Sequence, residues 1–420
     1  MTQTAWRHAR NMLCIRLDYL GDVLMCTPAM RALKESIPQC RLTLLTSSGS
    51  AAAARMIAEI DAVIEYAAPW MKSSRPHPPA ADFAMIRTLQ SHQFDAAVIF
   101  TTYSQSPLPA ALFCQLAAIP LRLAHCHENP YQLLTQWVRD PEPQEHIRHE
   151  VRRQLDLVAS IGCHTANERL SFQVPPADAA WARSRLQAIG IGTTDTARPW
   201  VLLHPGASAP SRRYPAEQWA QAADEIASRL DCPLVFTGGA DEIALVEAIR
   251  RNMNAVSHSL AGELDIGKLG AVIAQAPVLV SNNTGPAHLS AAVGTPVVDL
   301  YALTNPQHTP WQVPNRVLYH MVPCFNCYQS ICPESHHNCL TQVTPARVAG
   351  AVVELLQACT VNGNMAAGFS ANTEHPLPIL LRAAAASAQC ETGEKRASVL
   401  AEPAATAVSD MHPLQRFPVP

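Results

Sequence analysis

The sequence predicts an α/β protein made of two doubly wound, Rossmann-like halves that face a central cleft. Three observations carry this. The 420 residues exceed one ordinary core and suit two domains of roughly 150–200 residues each. Short apolar runs alternate with helical stretches in both halves, the order that builds parallel sheets. The segments richest in Gly, Asp, Arg and Thr fall just after those runs, where open α/β sheets bind ligands.

Residues 12–17, MLCIRL, form an apolar run suited to a buried parallel strand. A helix is expected over 23–35, with Pro28 tolerated only near a first turn. Residues 41–45, 62–66 and 96–100 read as further strands, and an alanine-rich helix is expected over about 50–59. Residues 150–161 look helical. Polar, proline-containing sequence over 164–177 and around 190–199 suits a bridge between domains. The second half repeats the order, with strands at 200–203, 233–236, 277–280 and 296–300. Its helices are expected at 216–230, 241–251, 286–293 and 345–359. Residues 360–420 are rich in Ala, Thr, Ser and Pro without a sustained period, so a disordered tail is expected there, with a transient helix over 379–388. The expected domains are 1–175, 176–359 and the tail 360–420.

Composition excludes some functions. Hydrophobic residues make up 48% of the chain, enough for real cores, while charged residues are sparse at 15% and the net charge is -3. That balance offers no electrostatic case for nucleic acid. The N-terminal residues lack the apolar core of a secretory signal, and no run reaches the about 18 apolar residues of a membrane span. A cytoplasmic protein is expected, one that meets a membrane-bound acceptor only at the surface. Nine of the 13 cysteines are scattered, several in apolar runs, and read as small buried hydrophobes in a reducing compartment. Cys324, Cys327, Cys332 and Cys339 cluster around His336 and His337. Their spacing suits either a structural zinc or reduced thiols packing a loop.

Four motifs sit at strand ends. In RLDYLGD, residues 16–22, Gly21 permits a tight path and Asp22 opens a helix. Asp22 either caps that helix or takes a proton from an attacking hydroxyl. In HPGASAPSRRYP, residues 204–215, Arg212 and Arg213 offer fixed donors and permanent charge to a diphosphate; the alternative is a solvated basic loop. In TGGADE, residues 237–242, Glu242 either accepts from ribose hydroxyls or complements a helix dipole. In SNNTGPAH, residues 281–288, Thr284 and Gly285 stand at a helix start, whose N–H groups bind phosphate. His288 faces either the ligand or the core.

Together the motifs IRLDYLGDVLMCTPAMRALKESIP, HPGASAPSRRYPAEQW, TGGADE and NNTGPAHLSAAVGTPVVDLY resemble glycosyltransferase family 9, the ADP-heptose:lipopolysaccharide heptosyltransferases and their relatives, over about residues 11–358. The resemblance implies a GT-B fold, with an N-terminal acceptor-binding domain and a C-terminal nucleotide-sugar-binding domain. It implies inverting transfer without a catalytic metal, from an ADP-linked sugar to a lipid-linked glycan of the lipopolysaccharide core at the inner membrane. By the same resemblance Asp22 is the general base. Arg212, with Arg213 beside it, contacts donor phosphates, Glu242 contacts the ribose, and Thr284, Gly285 and His288 hold the diphosphate. Family members usually carry Asp before TG, where this chain has Asn283, so a charge is missing where the donor sugar would be read. Two alternatives stay open: a degenerate relative that binds without transferring, and a nucleotide-sugar hydrolase or epimerase on the same fold.

Overall fold

The computed structural model describes residues 3–72, 76–192 and 199–361. The proposed tail beyond Val361, its transient helix and part of the second bridge segment lie outside the described residues.

Among the described residues the strands form two six-stranded parallel sheets. The first holds β1 (Asn11–Ile15), β2 (Arg41–Thr46), β3 (Ala62–Glu65), β4 (Ala96–Ile99), β5 (Leu121–Cys126) and β6 (Gln136–Arg139), in the spatial order β3-β2-β1-β4-β5-β6. The second holds β7 (Val201–His204), β8 (Leu234–Phe236), β9 (Ser257–Ser259), β10 (Leu279–Asn282), β11 (Val297–Leu300) and β12 (Asn315–Leu318), in the order β12-β11-β10-β7-β8-β9. The two orders are the same topology. In each, the chain reverses direction across the sheet beside the first strand, between β1 and β4 and between β7 and β10. That reversal leaves a crevice at the carboxyl ends, which is where such sheets take ligands.

The near-continuous apolar runs follow from burial on both faces. In β1, Met12 and Cys14 pack into one core while Leu13 and Ile15 pack into another on the opposite face. The first of these cores runs on through Leu289 and Ala271 to Leu202, so one hydrophobic cluster spans both halves. The described scattered cysteines are free thiols, mostly buried. Burial pushes those of Cys40, Cys163 and Cys232 up to about 11, which makes them inert packing groups.

The helix expected over 23–35 is in fact two helices, Leu20–Met25 and Thr27–Ser36. Pro28 explains the break. Its ring excludes the carbonyl four residues back, at Leu24, and the Thr27 hydroxyl donates to that carbonyl at 2.7 Å instead. The expected helix at 241–251 likewise opens with a short 3₁₀ turn over Ala240–Glu242 before Ile243–Arg251. No helix among the described residues is long and apolar enough to cross a membrane.

Candidate active site

β1 ends at Ile15, and the next residue, Arg16, is fully buried. A buried guanidinium needs counter-charges, and three carboxylates supply them. Asp18 Oδ2 lies 2.8 Å from its Nε, Asp22 Oδ1 3.1 Å from Nη2, and Glu150 Oε1 2.7 Å from Nη1. Glu150 opens the helix Glu150–Ala159, and Gln154 one turn on donates to its Oε1 at 2.8 Å. Asp22 stands in the first turn of Leu20–Met25 but is not its cap; Tyr19 holds that position and makes no side-chain cap bond. The capping alternative therefore falls.

The carboxyls differ electrostatically. For Asp22, burial acts to raise the pKa, but Arg16, His308, His288 and Arg212 together hold it below the ordinary carboxylate range. Burial raises Asp18 in spite of Arg16, and the neighbouring Asp22 adds to the rise. Glu150 is also raised by burial. Environments that push paired carboxyls apart separate their roles. Asp22 is the one held ionised.

The second half presents its groups to that carboxylate. Helix Gly285–Val293 abuts Leu20–Met25: a Cβ built on Gly21 would lie 2.5 Å from His288 Cδ2, and one on Gly285 would lie 3.2 Å from Leu20 Cδ2. Glycine at 21 is thus required by the close approach. Burial pushes His288 down to about 4, so it is neutral near pH 7. Thr284 is the N-cap of this helix in extended backbone and makes no side-chain cap bond, which leaves the helix N-terminus without its own side-chain partner. Arg212 is half-buried, and its charge acts on Asp22, His288, Asp299 and His308. Arg213 differs from it: it is exposed, and its Nε donates to the Ala207 carbonyl at 2.7 Å. The expected arginine pair is one cleft-facing cation and one that ties its own loop.

Glu242 accepts from the Gly239 amide at 2.8 Å, and its Oε2 lies 3.7 Å from His204 Nε2. Its carboxylate occupies the space that a Cβ at Gly206 would need. Asn283 is buried, and its amide nitrogen donates to Asp299 Oδ2 and to the His308 carbonyl, each at 2.8 Å. That nitrogen is thus bonded within the protein. Burial pushes Asp299 up to about 7, against the pull of Asn283 and Arg212.

A cavity of about 840 Å³ opens at the carboxyl ends of the first sheet, beside the Arg16 cluster. Asp18, Tyr19, Tyr66, Trp70, Lys72 and Gln105 are among its lining residues. Gln105 Nε2 donates to Asp18 Oδ1 at 2.6 Å. Aromatic faces beside polar groups are the composition that small-molecule sites use.

The cysteine segment braces the site. The amides of Asn326 and Tyr328 donate to the carbonyls of Leu303 and Thr304, each at 2.7 Å. Ser211 Oγ donates to the Gln329 carbonyl at 2.8 Å, next to Arg212. The Tyr328 hydroxyl meets that of Tyr103 in the first half. The four cysteines do not fit the zinc expectation. Among the described residues no three His, Cys, Asp or Glu side chains stand so as to hold a metal ion. Cys324 Sγ lies instead 3.6 Å from His336 Nε2, and burial raises the thiols of Cys324 and Cys339. The reduced-loop alternative describes the segment.

Sequence reasoning missed Arg16, Glu150, Asn305 and His308 as site residues. Arg16 carried a signal, a lone charge closing an apolar strand. The others carried none, because their roles depend on partners far away in the sequence.

Residues 83–338 match the family described as Glycosyltransferase family 9 (heptosyltransferase). The chain belongs to that family and is a glycosyltransferase. Among similar proteins is a lipopolysaccharide heptosyltransferase 3 of Escherichia coli, 22% identical over 70% of this chain and 84% of the relative. A lipooligosaccharide heptosyltransferase 2 of Campylobacter jejuni is 28% identical over 50% of this chain and 64% of its own length. Among solved structures, a family 9 glycosyl transferase from Veillonella parvula superposes with a TM-score of 0.71 at 22% identity, covering 83% of this chain and 98% of that one. The ADP-heptose lipopolysaccharide heptosyltransferase II of E. coli gives 0.64 at 22%, covering 83% and 99%. The fold is accordingly the GT-B type that the resemblance implied.

Proposed function

We propose that this glycosyltransferase moves a heptose from ADP-heptose to a lipopolysaccharide core or related surface-glycan acceptor, with inversion and without a catalytic metal. The observation that carries the reading is the meeting of charges across the cleft. Asp22, from the first half, is held ionised by the permanent charges of Arg16 of its own half and Arg212 of the second, with the imidazoles of His288 and His308 beside it. A base for the acceptor hydroxyl thus stands beside the cation and helix N-terminus that would take up charge on a leaving diphosphate.

In this reading residues 1–175 bind the acceptor in the 840 Å³ cavity, and residues 176–359 bind the donor. Arg212 and the helix start at Thr284 and Gly285 hold the diphosphate, supplying the positive charge that a divalent cation gives elsewhere. His288 borders it, and Glu242 reads the ribose. Asp22 removes the hydroxyl proton as the oxygen attacks the anomeric carbon and ADP departs. The donor chemistry is supported by the names of family relatives, among them the E. coli ADP-heptose enzyme. The enzyme would work in the cytoplasm and meet its lipid-linked acceptor at the inner membrane surface.

The test is a transfer assay with ADP-heptose and a panel of other nucleotide sugars on deep-rough core acceptor. Asp22→Ala is expected to abolish transfer while leaving ADP affinity within about threefold. Full transfer by that variant would remove Asp22 as the base.

A further inference from the structure

The loop after β11 carries His308 into the cleft. It is docked on the first half by backbone and side-chain bonds: the Glu150 amide donates to the Gln307 carbonyl at 3.0 Å, and Trp311 Nε1 donates to the Glu168 carbonyl at 2.8 Å. So placed, His308 Nε2 lies 3.8 Å from Asp22 Oδ1 and 3.8 Å from Glu150 Oε2. His308 Nε2 and Glu150 Oε2 are both buried and lack a hydrogen-bond partner. Buried polar atoms are usually satisfied, so an orphaned nitrogen aimed at two carboxylates calls for a reason.

Its neighbours fix its protonation. Asn305 Nδ2 lies 2.6 Å from His308 Nδ1. The amide cannot be turned round, because its oxygen already accepts from Thr304 Oγ1 at 3.0 Å and faces Arg212 Nη2, a donor only, at 3.5 Å. Asn305 therefore donates to Nδ1, and the imidazole proton sits on Nε2, facing Asp22. Burial, with the nearby charges of Arg212 and Arg16, pushes His308 down to about 3 although Asp22 pulls the other way. It is a neutral donor, not an imidazolium, across the working range.

We infer that His308 is a positioning residue for the transfer reaction: its Nε2–H, fixed by Asn305 and through it by Arg212, orients the Asp22 carboxylate and keeps it ionised. The inference rests on the reading of Asp22 as the base. It joins the donor-side arginine to that base in one chain, Arg212 to Asn305 to His308 to Asp22. The groups facing Asp22 are Arg16, Asp18, Cys26 and Glu150 from the first half, and His288, His308 and Arg212 from the second. Glu150 faces His308 as well. The N–H is too far from the carboxylate for a hydrogen bond, but a fixed N–H dipole aimed at a charge in a buried site favours the ionised form, so loss of Nε2–H moves Asp22 toward protonation.

The experiment is a pH titration of the Asp22 carboxyl by ¹³C NMR on the full chain labelled at aspartate, with Asp22→Asn giving the assignment. His308→Ala is expected to move the Asp22 titration upward by about half to one pH unit. His308→Gln, whose amide restores a donor, is expected to leave it within about 0.3 unit. ADP affinity by calorimetry stays within about threefold in both. Should His308→Ala not fold, Asn305→Ala keeps the imidazole but frees its tautomer, and the same upward movement is expected. An Asp22 titration unchanged in the folded variants overturns the inference. Retained transfer by Asp22→Ala would instead overturn the base reading, even if the NMR link between the two residues held.

Discussion

Asn283 donates its amide to Asp299 at 2.8 Å, so the uncharged residue at 283 and the carboxylate at 299 form one buried pair. The uncharged side chain at 283, just past β10, is thus matched by a partner on the adjacent strand, β11. An Asp at 283 would set two carboxylates against each other in a buried site, where like charges cannot both ionise.

Asn283→Asp is therefore expected to destabilise the protein by about 2–4 kcal/mol at pH 8 and by less at pH 5.5. The sign follows from Asp299. Its pKa is raised by burial from about 3.8 to about 7, so its contribution is complete below about 3.8 and is lost as pH rises through about 7. A second carboxyl shares the proton in acid and is repelled above neutrality. The double variant Asn283→Asp with Asp299→Asn should recover most of the loss. Thermal melts at both pH values decide it; equal stability of the single variant and wild type at pH 8 would refute the pairing.

The two arginines of the 204–215 loop should separate cleanly. Arg212→Ala is expected to weaken ADP binding ten- to one-hundredfold, the worth of about 1.5–3 kcal/mol for charge-assisted hydrogen bonds. Arg213→Ala should cost less than about threefold, since its side chain is exposed and bonded to its own loop. Calorimetry with ADP reads both. Equal losses would mean that the loop turns on binding.

Arg16→Met leaves Asp18, Asp22 and Glu150 without their shared cation. Removing one partner of a buried ion cluster costs about 3–5 kcal/mol. The deficit should be largest above neutral pH and shrink in acid. Asp18 and Glu150 already have raised pKa values with Arg16 present; without it they protonate more readily, and the stranded charge disappears as pH falls. Denaturant midpoints at pH 5 and pH 8 test this, and a deficit that grows in acid would be the wrong sign.

Gly21→Ala places a methyl group where His288 Cδ2 lies 2.5 Å away. Alanine favours the helix by about 1 kcal/mol, so the fold should persist while the two helix starts are forced apart. Transfer is expected to fall at least about tenfold, because misplacing a catalytic group by about 1 Å costs that and more, with ADP affinity within about threefold. A wild-type rate would show that the imidazole yields without moving Asp22.

Much of this was legible in the sequence because its causes are local. Buried parallel strands announce themselves as apolar runs, and β1, β2, β4, β7, β10 and β11 all read that way. The strands that escaped are β5, β6, β9 and β12. β6 alternates exposure as an edge strand, and β9 is a three-residue SHS without an apolar run. Asp22, Arg212 and Thr284 could be singled out because they follow strands. His308 and Glu150 were not, since each acquires its role from a partner more than 130 residues away. The Asn283–Asp299 pair was hidden for the same reason, with Asp299 inside a strand.

The shared strand order of the two sheets makes the loop after β1 and the loop after β7 equivalent positions in a repeated plan. The segment after β1 carries Asp18 and Asp22 around a single Arg16, a net negative set, and that after β7 carries Arg212 and Arg213. One architectural slot, used twice, has been given opposite electrical sign. A glycosyl transfer releases a proton at one end and gathers negative charge at the other, and on the proposed reading of Asp22 and Arg212 the duplicated scaffold divides those tasks between its copies. Redesign of either substrate could therefore proceed one copy at a time, as long as the loop carrying His308 still bridges the two.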